Sequence, residues 1–511
     1  MTRLNGVVNP ALVSALRSDL DAARFTVEHL TSLWGASADS ALERGDRVPA
    51  RRALTGSTAP AAVLARLFVL GLDVAASEAQ SALPTLGVAG AAELGLVRVG
   101  LEGPPRVQAT RDLRPYSFLD AGGAGEWWIV SDLGELATGG ALPTDHVLGV
   151  GGASVTLSGL LMPGPAGTAL DLGTGCGIQA MHLARQASRV VATDISRRAL
   201  DIAALNLALN GIEGVELRHG SLFEPVAGER FDRIVSNPPF VITPRRADVP
   251  AYEYRDGGAV GDGLVAGLVA ELADHLEPGG LAQLLGNWEY RDGEDGLQRA
   301  LGWASGAGLD SWIVERETLD TARYAETWIR DGGTRPGAAE YEPLVEAWLD
   351  DFAERGVTAV GFGYLLLRRP EARPTLARAE RLDTALGEGL GPHLALALAG
   401  HDAITRLGDD ALLDLHLVVA PDVTEERSHW PGQEHPSVIV LRQGGGFRRE
   451  VRAGTALAAV VGACDGELSL RAIVAAVASI LEVGADELAA EIVPEVRELV
   501  TGGMLTVASG G

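Results

Sequence analysis

No lysine occurs anywhere in the 511 residues, so all 42 basic residues are arginines. That excludes mechanisms built on a lysine amine, such as a Schiff base or the phosphate-binding lysine of a P-loop. Cysteine is nearly as scarce: Cys176 and Cys464 lie far apart, which excludes a disulfide framework and a zinc cluster and predicts a cytoplasmic compartment and no metal. Apolar runs of membrane-spanning length are missing, and the opening "MTRLNGVVNPALVSALRSDLDAARF" lacks the apolar stretch of a signal peptide, so no membrane association is expected. Positive charge is outnumbered, 42 against 68 acidic residues for a net −26. This disfavours a general nucleic-acid or anionic-membrane surface and leaves only a local basic groove open.

What is present is a globular composition, 47% hydrophobic, long enough for two to four domains. Residues 9–110 read as amphipathic helices followed by helix, turn, helix and strand, an order similar to a winged helix but without basic residues along its second helix. "EWWIVSDL" (126–133) reads as a strand opening a second domain. Strand candidates then alternate with helical patterns: 168–173, 189–195, 215–222, 231–237, 280–288, and later 308–317 and 359–369. Strict alternation of this kind predicts a parallel, doubly wound α/β sheet. A charged helical insertion spans about 318–356, and "RRPEARPTL" (368–376) reads as a boundary. The expected domains are 1–120, 121–370 and 371–511, the last an α+β domain ending in a small helical, winged-helix-like module.

Three stretches carry chemistry. "ALDLGTGCGIQAMHLA" sets Gly173, Gly175 and Gly177 directly after an apolar strand and before a helix, where glycine permits tight turns and close ligand approach. Asp194 ends the next strand, where a carboxylate can accept hydrogen bonds from ribose hydroxyls or cap the following helix. "IVSNPPFVIT" (234–243) places Asn237-Pro238-Pro239 after the fourth strand. Proline cannot join a sheet ladder and holds its predecessor extended, so this segment is a stiff exit from the strand.

Together these stretches resemble class I S-adenosylmethionine (SAM) methyltransferases, over about residues 145–290: the first matches their motif I, and SNPPF matches the [N/D/S]-P-P-[F/Y/W] motif of the amino-methyltransferases. The resemblance implies a Rossmann-like catalytic domain that uses SAM. It places Asp171 at the methionine end of SAM and Asp194 at the ribose, with Gly173, Thr174, Gly175, Gly177, Ile195, Ser221, Leu222 and Asn237 completing the cofactor site. It assigns Asn237, Pro238, Pro239 and Phe240 to catalysis: the Asn237 oxygen and Pro238 carbonyl hold the N–H groups of a planar nitrogen, and Phe240 stacks on it. Thr156, in the loop before motif I, and Arg245 and Arg246, beyond NPPF, are candidate substrate contacts.

Within that group, residues 254–285 resemble the HemK/PrmC-type protein glutamine methyltransferases, whereas Phe240 is commoner in the RsmC/RlmG-type ribosomal RNA enzymes. Ser221 stands where relatives often have an aspartate. The expected substrate is macromolecular. A protein glutamine amide is favoured over a nucleic-acid base amine, and a SAM-binding scaffold without turnover is a third reading.

Overall fold

The computed structural model describes residues 9–100, 104–120, 122–140, 142–250, 252 and 255–508. Its two compact units are Met1–Ser158 with Pro165–Arg381, and Gly159–Gly164 with Leu382–Gly511.

Mostly apolar runs, with a charged strand at one edge, form the main sheet of the larger unit: β1 (Ala166–Leu172), β2 (Ala187–Asp194), β3 (Val215–His219), β4 (Phe231–Ser236), β5 (Leu276–Arg291), β6 (Asp310–Asp320), β7 (Val357–Arg368) and the charged β8 (Ala377–Arg381). Their spatial order is β8-β6-β7-β5-β4-β1-β2-β3. Helix α1 (Gly152–Leu160) precedes β1, and α2 (Ile178–Leu183), α3 (Arg197–Asn210), α4 (Gly263–His275) and α5 (Gly296–Gly306) follow β1, β2, β4 and β5.

The doubly wound α/β sheet is thus present, but strict parallelism stops at β5. Strands β1 to β5 pair in parallel, whereas β7 runs antiparallel to both β5 and β6. A strand buried between two others is apolar whichever way it runs, so periodicity could not reveal this reversal. The sheet also passes the expected boundary at 370/371, because β8 pairs in parallel with β6. Between β6 and β7 the charged insertion forms α6 (Thr321–Asp331) and α7 (Tyr341–Glu354).

Chain order reverses direction between β1 and β4, and loops leaving the carboxyl ends of strands at such a point diverge to leave a crevice. Register sets the strand ends level: Leu172 lies opposite Thr193 of β2 and Ser236 of β4, and the Ser236 hydroxyl donates to the Leu172 carbonyl at 2.7 Å.

The N-terminal helices begin at Pro10–Ala23, capped by the Asn9 side chain. Strands Val74–Ala75, Val97–Val99 and Arg106–Ala109 form a small antiparallel sheet around helices Ala76–Ala82 and Gly87–Glu93, in the winged-helix order. Its second helix, GVAGAAE, carries no cation. This layer shares its core with α3 through Leu205 and Leu209, and Arg17 donates to the terminal α3 carbonyls of Ala208 and Leu209 at 2.8 Å, as a cation at a helix C-terminus should.

Strands Asp112–Asp120 and Gly123–Ser131 form one antiparallel hairpin, so the expected boundary at 120/121 falls in its turn. Asn206 and Asn210 of α3 bind the hairpin backbone at Val130 and Trp128.

The smaller unit has its own core around Leu457, Ile473, Val496 and Leu505, with two three-stranded sheets and the helices Thr455–Gly462, Leu470–Leu481 and Ala485–Thr501. Among the described residues, no helix is long and apolar enough to cross a membrane.

Candidate active site

A cavity of about 470 Å³ opens where β1, β2 and β4 end. At its floor, the Gly173 and Thr174 amides both donate to the Thr193 carbonyl, at 3.0 and 2.9 Å, which folds the loop back over β2. Gly173 and Gly175 hold positive φ (76° and 55°), and a Cβ built at either would meet nothing within 4 Å. The loop is therefore a bare, open cradle. Gly177 also holds a positive φ (91°), and a Cβ there would in addition press on Ala203 of α3 at 3.1 Å.

Asp194 lies on the cavity wall, its two oxygens aimed by the backbone amides of Gly175 (2.9 Å) and Ser196 (2.8 Å). The helix cap itself is Ser196, whose side chain accepts from Ala199. Ile195 also lines the wall and is 61% exposed, an apolar surface for a flat group. Ser221 and Leu222 complete this side. Leu222 is held at φ +46°, a strained conformation for a residue with a Cβ, of the kind that persists beside functional sites.

Asp171 is 1% exposed and accepts from the Thr174 hydroxyl (2.5 Å) and the Ala180 amide (2.9 Å), so it sets the loop's shape from below. Burial, reinforced by the Asp194 charge, pushes its carboxyl up to about 7. The folded state then keeps a proton that the unfolded chain releases near pH 4, so this group makes the protein less stable as pH rises from about 4 to 7. Asp171→Asn should gain stability relative to wild type across that window, the gain levelling off above pH 7. Urea midpoints at pH 4.5 to 8 check this; a difference independent of pH would refute it.

On the opposite wall, Asn237, Pro238 and Pro239 line the cavity. The Asn237 Oδ1 atom is buried without a hydrogen-bond partner among the described residues, an arrangement that costs about 1–3 kcal/mol unless something supplies the donor. The Pro238 carbonyl accepts the Phe240 amide at 2.8 Å, a tight turn that leaves it one further lone pair.

Residues 151–302 match the family model described as "methyltransferase small domain". This segment is similar to methyltransferase small domains. Flanking segments 22–110 and 404–507 match two domains of unknown function, DUF7059 and DUF7782. The release factor glutamine methyltransferase of Xylella fastidiosa is 42% identical over 127 residues, 23% of this chain and 46% of that protein. The ribosomal protein uL3 glutamine methyltransferase of Bradyrhizobium diazoefficiens is 38% identical over 121 residues (22% and 38%). The ribosomal RNA small subunit methyltransferase C of Alcanivorax borkumensis is 34% identical over 126 residues (25% and 34%). The chain thus spans less than half the length of each of these relatives.

Within the matched segment, Asp171, Gly173, Thr174, Gly175, Asp194, Ile195, Ser221, Leu222, Asn237, Pro238 and Pro239 come together on one cavity, and Gly177 packs behind it. Four expected contacts lie elsewhere. Phe240 is half-buried, 6.4 Å from the Phe362 ring and packed against two apolar cores, and it does not line the cavity. Thr156 is off the wall; Ser154, two residues earlier on α1, lines it instead. Arg245 makes a bidentate pair with Asp256 and donates to the Ala259 carbonyl at 2.9 Å. Arg246 pairs with Asp248 on the surface. Neither guanidinium lines the cavity, although Asp256, the partner of Arg245, does.

Sequence reasoning missed Gln179, buried with Oε1 unpartnered among the described residues and Nε2 on the Ser154 carbonyl, and His146, whose ionisation burial disfavours; both line the cavity. A glutamine at the start of an apolar helix was the available signal for the first. Asp256, Gly257 and Gly258 also line the wall, in the turn of the 254–285 segment, whose first residue, Tyr254, lies outside the described residues.

Proposed function

We propose that the protein is a SAM-dependent N-methyltransferase acting on a planar nitrogen, with the glutamine side-chain amide of a protein as acceptor. The observation that carries this reading is the unpartnered, buried Asn237 oxygen on the same cavity as the glycine cradle.

The residues fit SAM. Asp194 would accept from the ribose, Ile195 and Leu222 would cover the adenine, and the open cradle at Gly173 and Gly175 would admit the methionine part above Asp171. Bound there, SAM supplies an electrophilic methyl on its sulfonium. The chain's own part is orientation. An amide delocalises its nitrogen lone pair and is a poor nucleophile, so Asn237 Oδ1 and the second lone pair of the Pro238 carbonyl each take one N–H and hold the nitrogen facing the methyl group; as the N–C bond forms, the S–CH3 bond breaks and the nitrogen gives up one N–H proton through these hydrogen bonds to solvent. Cys176, on the same wall, is no rival nucleophile, since burial pushes its thiol up to about 11.

A protein acceptor is favoured over RNA because the two arginines beyond NPPF are engaged by Asp256 and Asp248, leaving little to neutralise phosphate. A base amine is the second reading, favoured by the similarity to a ribosomal RNA methyltransferase. The test incubates the protein with methyl-labelled SAM and extract from a strain lacking the gene. Label released by protease supports the glutamine reading, and label released by nuclease promotes the base reading. No transfer to any fraction would reduce the protein to a SAM-binding scaffold.

Asp194→Ala should weaken SAM binding by about 1–3 kcal/mol, through lost ribose hydrogen bonds and a loosened Gly175 amide. Unchanged calorimetric affinity would remove Asp194 from the site.

A further inference from the structure

The 318–356 insertion has no role in the chemistry so far, yet its first helix, α6, reaches the back of the NPPF loop. Tyr324 is fully buried, and its hydroxyl accepts the Ile242 amide at 2.9 Å and the Asn287 Nδ2 at 3.1 Å. Asn287 of β5, also fully buried, turns the same amide group on the Phe240 carbonyl at 2.8 Å. One hydroxyl and one amide thus fix the two residues that leave the Asn-Pro-Pro turn.

The returning segment is tied to the same helix. The Val241 amide donates to the Arg255 carbonyl at 2.7 Å, and Arg255 donates in turn to the Trp328 carbonyl and to Asp331, both at 2.7 Å. Around these bonds Val241 and Ile242 pack with Trp348, Phe352 and Phe362, the last stacked on Tyr324 at 5.5 Å. Burial raises the Tyr324 hydroxyl far above its ordinary value, so it stays neutral at any working pH.

We propose that Tyr324 and Asn287 are positioning residues for methyl transfer: the insertion is a buttress that holds residues 237–242 in register, so that Asn237 presents the acceptor nitrogen at a fixed place. This rests on the proposed N-methyltransferase reading. The physical need is plain. A stiff di-proline turn keeps its own shape but not its place relative to the cradle on β1, and a displacement of about 1 Å at a reacting atom can cost roughly 100-fold in rate. Cofactor binding uses the loops after β1, β2 and β3, to which the hydrogen bonds of Tyr324 and Asn287 given above do not run.

Tyr324→Phe keeps the ring and its packing and removes only the hydroxyl; Asn287→Ala removes the shared amide. With the full-length protein, hydrogen exchange is followed by mass spectrometry over residues 237–243, SAM affinity by calorimetry, and methyl transfer from labelled SAM to unmodified bacterial release factor and to total extract of a deletion strain. Exchange in 237–243 is expected to rise about tenfold or more in both variants, kcat to fall at least tenfold, and SAM affinity to stay within twofold, with exchange elsewhere unchanged. Wild-type exchange in Tyr324→Phe would overturn the proposal, as would faster exchange with wild-type kcat. Asn237→Ala, run alongside, separates the two ideas: if it transfers methyl at the wild-type rate, the N-methyltransferase reading fails, while the exchange data still decide whether the buttress holds the loop.

Discussion

Replacing Asn237 by alanine is expected to lower kcat by roughly 100-fold or more while SAM affinity stays within a few-fold. The argument starts from an oxygen that folding leaves buried and unpaired at the end of β4. Such an atom penalises the fold, and the penalty is recovered only when an N–H enters. Because the acceptor nitrogen must turn its lone pair toward the methyl group as the bond forms, that hydrogen bond tightens along the reaction and so acts on kcat more than on binding. The di-proline turn supports it: Pro238 and Pro239 cannot yield their positions to a ladder, and Ser236 ties the strand end to β1 at 2.7 Å. Turnover of Asn237→Ala near wild type, in an assay where wild-type transfer is established, would mean that the nitrogen is oriented elsewhere.

Asn206→Leu is expected to be the most damaging of these substitutions to stability, by about 3–5 kcal/mol, because it strands three buried backbone groups at about 1–3 kcal/mol each. The Asn206 side chain is fully buried; its Oδ1 accepts the Val130 amide at 2.7 Å, and its Nδ2 donates to the carbonyls of Val130 (2.9 Å) and Cys176 (2.8 Å). One amide therefore joins the hairpin to the glycine loop that forms the cavity floor. Leucine has nearly the same volume and offers no hydrogen bond. Denaturant unfolding should show the loss, and SAM affinity should fall with it because the loop loses its anchor at Cys176. A change below about 1 kcal/mol would show that water or a shifted backbone replaces all three bonds.

How much of this was legible beforehand follows from how local each signal is. The strands β1, β2 and β4 and the turns that leave them were readable because burial on both faces demands an unbroken apolar run, and because Gly173, Asp194 and Asn237 each sit within one residue of a strand end. Strand β8, "ARAER", was not: it is charged and half-exposed at the sheet edge, and only pairing with β6 makes it a strand.

The arginines show the same limit. Arg245 looked available for phosphate because its partner, Asp256, is 11 residues away across a loop, and sequence proximity says nothing about which carboxylate a guanidinium will meet. Phe240 read as a stacking platform from its motif, but it packs against Phe362 and two apolar cores and does not line the cavity.

By itself the sequence determined the α/β alternation, the order of the loops that build the site and the chemical character of each wall, since these depend on residue type within a few positions. The direction of β7, the pairing of Arg245 and the contact of Tyr324 with Ile242, 82 residues apart, were decided only by the tertiary structure. Those are choices among distant partners of similar local preference, and the energy that selects among them comes from packing the whole unit, where no short stretch carries the information.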